Sequence, residues 1–549
     1  MSKRWLSIYH ENISEFSDIA ERSLADLFKD TVAAHPNHTA ITFYDKTWTY
    51  QEFDRIVETL AAALAEDGFQ KGDRLAIMLP NTPHYLFSLY AALRLGGIVV
   101  QVNPMYVERE IDHVLNDSGA THMVVLNELY PRVNQVRSKS SLKKAIVVNL
   151  NPQAEVNLQD GDAVFETFLQ GATSKAPEVT INPKEDVAVL QYTGGTTGVS
   201  KGVMLTHSNL VSNTEQTFDF MYKVSDDFPE NSKIVNVLPL FHIFSLTCCN
   251  FATVRHGGNQ ILLPRFEMME VLETIKREKP YQFAGVPTMY VGFNTVAKYK
   301  EFGLDEIERY VSGGSSLPVE ALETFEKGTG RQLCEGYGLS EASPVTHFNP
   351  SFRERKAGSI GIPLPNTDAK VVREKDDGTV EEVPVGEVGE LIIQGPQVMK
   401  GYWQRPEATA ETLKNGWLHT GDMARMDEDG YFYIVDRKKD MIIASGYNVY
   451  PREIEEVIYQ HPAVQETVVI GVPDAYRGET VKAFITPKEN QTVTEEEVIA
   501  HCQKYLAAYK VPKFVEFRAE LPKSAVGKLL KRELRVEEEA RLQENQINS

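Results

Sequence analysis

Short apolar runs alternate with helix-period segments along the first half of the chain, and this alternation narrows the fold more than any other feature. Ile56, Leu60, Ala63 and Leu64 recur at helical spacing, Gly68 and Gly72 break the run, and Arg74 to Leu79 reads as a strand. The cycle then repeats. His84 to Arg94 has helix character, Gly96-Gly97 ends it, and Ile98 to Val102 resumes a strand. Strands joined through helices are the mark of βαβ units in a parallel sheet. The same reading disposes of the strongest membrane-span candidate, Leu86 to Val102, because Arg94, Gly96 and Gly97 interrupt it. With 549 residues the chain exceeds one ordinary core, so roughly two to four structural units are expected.

The stretch from Asn151 to Lys184 is polar and irregular and reads as a surface connection. Further on, Tyr431 to Val435 reads as a strand and Asp436-Arg-Lys-Lys-Asp440 as a charged linker. Beyond it, Glu453 to Tyr459 (helix), Glu466 to Ile470 and Val481 to Ile485 (strands) and Glu495 to Tyr505 (helix) make a small α+β unit. The expected division is a large domain over 1–435, a hinge over 436–440 and a small C-terminal domain over 441–549.

Lys plus Arg total 57 against 77 Asp plus Glu, a net charge of −20, which disfavours nonspecific nucleic-acid binding. Cys248, Cys249, Cys334 and Cys502 are too few for a disulfide framework and form no CxxC pair, so they read as buried thiols of a cytoplasmic protein.

Tyr192-Thr-Gly-Gly-Thr-Thr-Gly-Val-Ser-Lys-Gly202 follows a strand, Val187 to Gln191, directly. Gly194, Gly195, Gly198 and Gly202 permit close backbone approach to a ligand, and consecutive free N–H groups form an anion-binding concavity. Thr193, Thr196 and Thr197 add hydroxyls and Lys201 adds a positive charge. The loop is not a Walker A sequence, because Ser200 precedes Lys201 and Gly202 follows it. Phosphate binding is the stronger expectation and a plain surface loop the alternative, since Thr206-His207-Ser208 caps a helix leading out.

This loop resembles the signature of the adenylate-forming enzymes, the family of acyl-CoA synthetases, aryl-CoA ligases, firefly luciferase and peptide-synthetase adenylation domains. Ser200 stands where that family commonly has proline, a departure expected to loosen the loop and make its ordering lean on bound nucleotide. Further motifs follow in family order, although each alone would pass as a turn or a solvated run. Glu335-Gly-Tyr-Gly-Leu-Ser-Glu341 resembles the Tyr-Gly-x-Thr-Glu motif, with Ser340 for threonine. By that resemblance Tyr337 stacks on adenine, Glu341 holds magnesium, and Glu335, Gly336, Gly338 and Ser340 surround the nucleotide. Gly313-Gly314-Ser315-Ser316 resembles the adenine-side loop, and Trp417-Leu-His-Thr-Gly-Asp422 the ribose motif, with Asp422 accepting the ribose hydroxyls. In the charged run, Arg437 falls at the ribose-phosphate arginine and Lys439 at the pivot of the hinge. Ser445-Gly446-Tyr447 resembles the loop lining the pantetheine tunnel. Pro522-Lys-Ser-Ala-Val-Gly-Lys528 resembles the last motif, in which Lys528 enters the site during adenylation, while Lys523 and Lys531 read as surface lysines.

Pro239-Leu-Phe-His242-Ile-Phe244 occupies the segment that begins the family's acid pocket, with His242 near the acid carboxylate. From its neighbours alone His242 would be a satisfied core histidine. Phe241, Phe244, Val286 and Gly314 complete the expected pocket, and Leu246 and Met289 are further channel candidates. No aspartate for a substrate ammonium lies between Leu238 and Phe251, which argues against amino-acid activation. The chain past Lys528 is too short for a carrier domain, so a free-standing enzyme is expected. Val435-Asp-Arg-Lys-Lys-Asp-Met-Ile442 and Tyr509-Lys-Val-Pro-Lys-Phe-Val-Glu-Phe-Arg518 resemble bacterial long-chain fatty-acid:CoA ligases.

The resemblance implies an α/β fold. A large N-terminal domain would combine mixed and parallel sheets, helices and a β-barrel-like part, followed by a small mobile α+β C-terminal domain. It implies joining of a medium- to long-chain fatty acid to CoA through an acyl-adenylate, with ATP, Mg2+ and CoA. Lys528, His242, Thr193 and Lys201 form the catalytic set. An aryl-acid:CoA ligase, a fatty acyl-AMP ligase loading a carrier protein, and a ligand-binding relative with a degraded site remain alternatives. Peripheral contact at the inner face of the membrane and a homodimer stay open.

Overall fold

The alternation of the first half builds an eight-stranded sheet among the described residues, in the order Gly401–Tyr402, Lys201–Thr206, Val187–Thr193, Ile98–Gln101, Arg74–Met78, His122–Leu126, Lys144–Val148, Ala163–Val164. From Val187–Thr193 onward the neighbours are parallel, and the first two strands close the edge antiparallel. The structure, a computed structural model, describes residues 3–547 apart from 152, 194–199, 225–227, 297, 354, 376–378, 445–446, 475–476 and 526, with side chains to 541.

Strands covered on both faces need continuous apolar runs, which Arg74–Met78 and Ile98–Gln101 supply. The helix Tyr50–Glu66 starts on a Thr49–Glu52 capping box and turns Phe53, Val57, Leu60 and Leu64 into the core. The helix Pro83–Arg94 is buried nearly all round, so Leu86 to Val102 is a core helix, turn and strand. No helix among the described residues is long and apolar enough to cross a membrane. The connection expected to be irregular holds a two-residue strand, Ala163–Val164, and a helix, Phe165–Gln170, both too short to leave a periodic signal.

A second sheet of nine strands runs Ile362–Pro363, Val345–Phe348, Leu333–Gly338, Arg309–Ser312, Gln282–Gly285, Lys233–Asn236, Asn259–Leu262, Thr39–Phe43, Lys46–Thr49. Its middle is parallel and its edges antiparallel. The part expected to be barrel-like is a six-stranded antiparallel sheet centred on Gly389–Gln394 and Trp417–Met426. The C-terminal part has its own five-stranded sheet, built on the long pair Val464–Asp474 and Gly478–Pro487, and its own core of Ile442, Val449, Ile454, Ile458, Val469, Val481 and Ile485.

The 436–440 run differs from a solvated linker. The strand Phe432–Arg437 continues into it. Asp436 is buried and accepts the Arg452 backbone N–H at 2.9 Å, and Asp440 accepts Arg535 at 2.7 Å. Asp436 thus ties the large part to the C-terminal part and Asp440 is held by the last helix, while Lys438 and Lys439 between them are exposed.

Candidate active site

Open α/β sheets bind ligands at the carboxyl ends of their parallel strands. The expected site segments leave from those ends. Val187–Thr193 delivers Tyr192 and Thr193, Lys233–Asn236 leads toward His242, Arg309–Ser312 runs into Gly313-Gly314, and Leu333–Gly338 carries Gly336 and Tyr337. The chain beyond His242 continues as a π-helical stretch, Ser245–Phe251, a geometry frequent at functional sites.

A cavity of about 860 Å3 opens here, lined by Thr193, Lys201, His242, Phe244, Gly313, Gly314, Gly336, Tyr337, Gly338, Ser340, Glu341, Arg437, Lys439 and Lys528. A second cavity of about 940 Å3 lies toward the C-terminal part and takes Phe241, Ser315, Glu335 and Asp422 into its wall. His242, Gly314, Tyr337, Arg437, Lys439 and Lys528 face both. Gly194, Gly195, Thr196, Thr197, Gly198, Ser445 and Gly446 lie outside the described residues. Tyr447 is exposed, stacked on Tyr509 with ring centroids 4.6 Å apart, and lines neither cavity.

Three residues are wired together on one wall. Buried Asp422 accepts the Tyr337 hydroxyl at 2.5 Å and faces the Arg437 guanidinium at 3.1 Å, its partner across the strand ladder. The carboxylate raises the Arg437 pKa further, and burial with the same carboxylate raises that of Tyr337. On the opposite wall, Tyr402 donates to Glu341 at 2.8 Å while the Lys201 ammonium lies 5.0 Å from the Tyr402 ring centroid. A carboxylate such as Glu341 beside a cavity suits magnesium, which keeps waters and takes phosphate oxygens as its other ligands.

His242 Nδ1 accepts the Phe244 backbone N–H at 3.3 Å, so the neutral ring carries its proton on Nε2. Burial, reinforced by the nearby Lys528 charge, lowers its pKa to about 4. Lys528 sits on a tight turn in which Ser524 N–H donates to its carbonyl at 2.8 Å and its own N–H to Ser524 Oγ at 3.2 Å. The turn docks on Thr288. Gly527 has φ +75° there, and a Cβ would lie 2.8 Å from Thr288 Oγ1, so both conformation and space demand glycine. Burial, then the Arg437 charge, pulls the Lys528 ammonium down to about 8. Glu335 is pushed up to about 7 by burial and accepts the Leu317 N–H at 3.1 Å. Burial also lowers the pKa of Lys439.

Behind His242 the first cavity becomes apolar, walled by Met221, Phe244, Cys248, Ala284, Val311 and Phe348. Ala284 and Gln282 lie on one face of the strand Gln282–Gly285, so this branch descends along the strand, at about 3.3 Å per residue, to the Gln282 amide held by Tyr222. Gly313 marks its entrance, where a Cβ would press the Phe244 ring at 3.1 Å.

Some expectations need correction. Val286 packs beneath Gly314 and Gly527 instead of lining either cavity, and Phe241 faces only the second. Leu246 and Met289 point into the cores, because helix period alone cannot tell a channel wall from a buried face. The loosening expected of the loop falls on 194–199, outside the described residues, but Ser200 itself ties the neck. Its hydroxyl donates to the Thr193 carbonyl at 2.7 Å, bridging the two ends where proline was expected. Lys523 and Lys531 are ion-paired with Glu466 and Glu455 at 2.9 and 3.0 Å instead of free in solvent. Tyr402, Met221, Ala284 and Gln282 were missed. Each is an ordinary residue in a strand or helix with no local motif to announce it.

Comparison with known proteins agrees with this geometry. Residues 28–403 match the AMP-binding enzyme family and residues 453–528 the AMP-binding enzyme C-terminal domain. The chain is 44% identical over 555 residues to a long-chain-fatty-acid--CoA ligase of Bacillus subtilis, covering 98% of each chain. It is 41% identical over 564 residues to the enzyme of that name from Escherichia coli O6:H1, again covering 98% of each. The solved anthranilate CoA ligase AuaEII, in complex with anthranoyl-AMP, superposes with a TM-score of 0.87 at 27% identity, covering 96% of this chain and 100% of the other. With strands, loops and cavity arranged as described and both family segments matched in order, the chain belongs to the AMP-binding enzyme family.

Proposed function

We propose that the protein joins a medium- to long-chain fatty acid to CoA in two steps, with ATP cleaved to AMP and pyrophosphate. One observation carries this reading. A single cavity combines a charged end, with Lys201, Glu341, Arg437 and Lys528, and an apolar branch descending to Gln282, with His242 at the junction. Such a cavity suits an ionised phosphate chain and an alkyl chain meeting at one carboxylate.

In the first step a carboxylate oxygen attacks the α-phosphorus and the bond to pyrophosphate breaks. Lys528 and Lys201 offset the phosphate charge, and Tyr337, Asp422 and Arg437 take the nucleoside, with Asp422 accepting ribose hydroxyls. Thr193, Ser340 and the 194–198 segment hold phosphate oxygens, and Gly313, Gly314 and Ser315 flank the base. The His242 Nε2–H points its proton at the acid carboxylate, with Phe244 and Gly314 beside the chain. Glu341 is the residue that would hold Mg2+, whose chemistry when bound is to neutralise phosphate charge. In the second step the CoA sulfur attacks the acyl carbonyl, AMP leaves with the electron pair and the thiol proton is released. A large domain, a hinge about Lys439 and a small domain that turns as a body would take Lys528 out and bring the 445–447 loop in.

Acid-dependent exchange of labelled pyrophosphate into ATP, without CoA, tests the first step. Exchange with palmitate is expected; its absence with every fatty acid from octanoate upward would reject the reading. The pH dependence has a fixed sign. Lys528 is protonated below about 8 and loses its charge as the pH rises through that value. Because kcat/KM for ATP reports the free enzyme, it is expected to fall roughly tenfold per pH unit above 8 in this exchange. A flat profile to pH 10 would remove the ammonium from the step.

A further inference from the structure

The segment from Tyr192 to Gly202 is held from outside by a helix that carries none of the residues so far given a role. In the helix Glu108–Ser118, His113 and Asp117 are four residues apart and so share a face. His113 Nε2 donates to the Ser200 carbonyl at 2.7 Å. Asp117 Oδ2 accepts the Tyr192 hydroxyl at 2.7 Å. The helix thus grips the chain on both sides of the 193–199 stretch, and the rings of His113 and Tyr192 meet edge-on, with centroids 6.2 Å apart.

The grip extends to the far side of the neck. Asp117 Oδ1 pairs with Arg405 at 2.6 Å, and its backbone carbonyl accepts the Trp403 indole N–H at 3.1 Å. Trp403 in turn donates its backbone N–H to the Gly202 carbonyl at 2.8 Å. Tyr402, next in sequence, lies under Lys201 and holds Glu341. One helix face therefore sets Tyr192, Ser200 and Gly202, and through Trp403 and Tyr402 the cationic and carboxylate walls of the cavity.

We propose that His113 and Asp117 are positioning residues for ATP, anchoring both ends of the glycine-rich loop so that Thr193 and Lys201 are presented before nucleotide arrives. Glycine loses more backbone freedom on ordering than any other residue, so a loop rich in it binds weakly unless its ends are already fixed. Neither residue lines the cavity itself, and their effect passes through Ser200 and Tyr192, which do. The inference rests on the reading that this loop binds ATP.

The test is a split of kinetic constants in palmitate-dependent pyrophosphate exchange. His113→Ala and Asp117→Ala are each expected to raise KM for ATP about tenfold while leaving KM for palmitate within about twofold. Palmitoyl-CoA formation from preformed palmitoyl-adenylate, which needs no triphosphate, stays at the wild-type rate. His113→Gln, whose amide carries an N–H on a side chain of similar reach, restores the ATP constant. Because both anchors act on one loop, the double variant falls short of the product of the single effects. Unchanged KM for ATP in both alanine variants overturns the proposal. So does an equal loss in both half-reactions that follows a lowered Tm, with no rescue by His113→Gln. A wild-type protein without exchange activity would instead sink the functional reading itself.

Discussion

Lys528→Ala is expected to slow acyl-adenylate formation on the order of 100- to 1,000-fold, the range for losing one preorganised group that meets developing charge. Thioester formation from preformed acyl-adenylate should change by no more than about twofold, since that step carries no triphosphate to neutralise. The reason lies in the placement. Lys528 is delivered by the C-terminal part on a turn fixed by Ser524 and Thr288, and it reaches the same cavity as Lys201 and Tyr337. Burial strips water from the Lys528 ammonium and lowers its pKa to about 8, which makes its charge count for more when phosphates enter. Rapid-quench measurement of the two half-reactions separates the outcomes. Equal loss in both would mean that Lys528 only holds the parts together.

Ala284→Phe should move the acid preference from long to short chains. Ala284 lines the apolar branch, buried, beside Val311 across the sheet and two residues from Gln282 on the same face. A phenyl ring there fills the space through which the chain descends. Each buried methylene is worth about 0.8 kcal/mol, so excluding four of them costs about 3 kcal/mol, or on the order of 100-fold in kcat/KM for palmitate. Octanoate, whose shorter chain needs less of the branch, should lose little, and its turnover serves as the control for folding. Parallel loss with both acids would show that the branch is not the acyl channel.

The sequence made the nucleotide side readable because glycine, aspartate and lysine sit there in runs whose backbone demands are unusual. Gly313 and Gly527 were findable for that reason, since the tight space beside the Phe244 ring and the positive φ of Gly527 against Thr288 both favour glycine, and Asp422 lies across the ladder from Arg437, which it pairs with. The long helices and buried strands were readable too, since Tyr50–Glu66 satisfies a simple period and Arg74–Met78 carries a continuous apolar run. The acid side was not. Ala284, Met221 and Cys248 come from a strand and two helices and become a channel only when packed, while Val286, one residue past the same strand, turns away. Asp436 and Asp440 could not be placed from the sequence for a related reason: charge in a short run suggests solvent, which holds for Lys438 and Lys439, yet Asp436 is buried on the Arg452 backbone N–H and Asp440 on the Arg535 guanidinium. Ser200 shows the same limit at one position, since a missing proline said nothing about the hydroxyl that replaces its stiffness with a bond to Thr193.

The most direct measurement gives the purified protein MgATP, palmitate and free CoA, and quantifies AMP, pyrophosphate and palmitoyl-CoA in the same reaction. Two-step ligation in one cavity requires the three products in equal amounts. AMP and pyrophosphate without palmitoyl-CoA would contradict free CoA as the acceptor, and no product from palmitate or any shorter fatty acid would contradict the ligase itself.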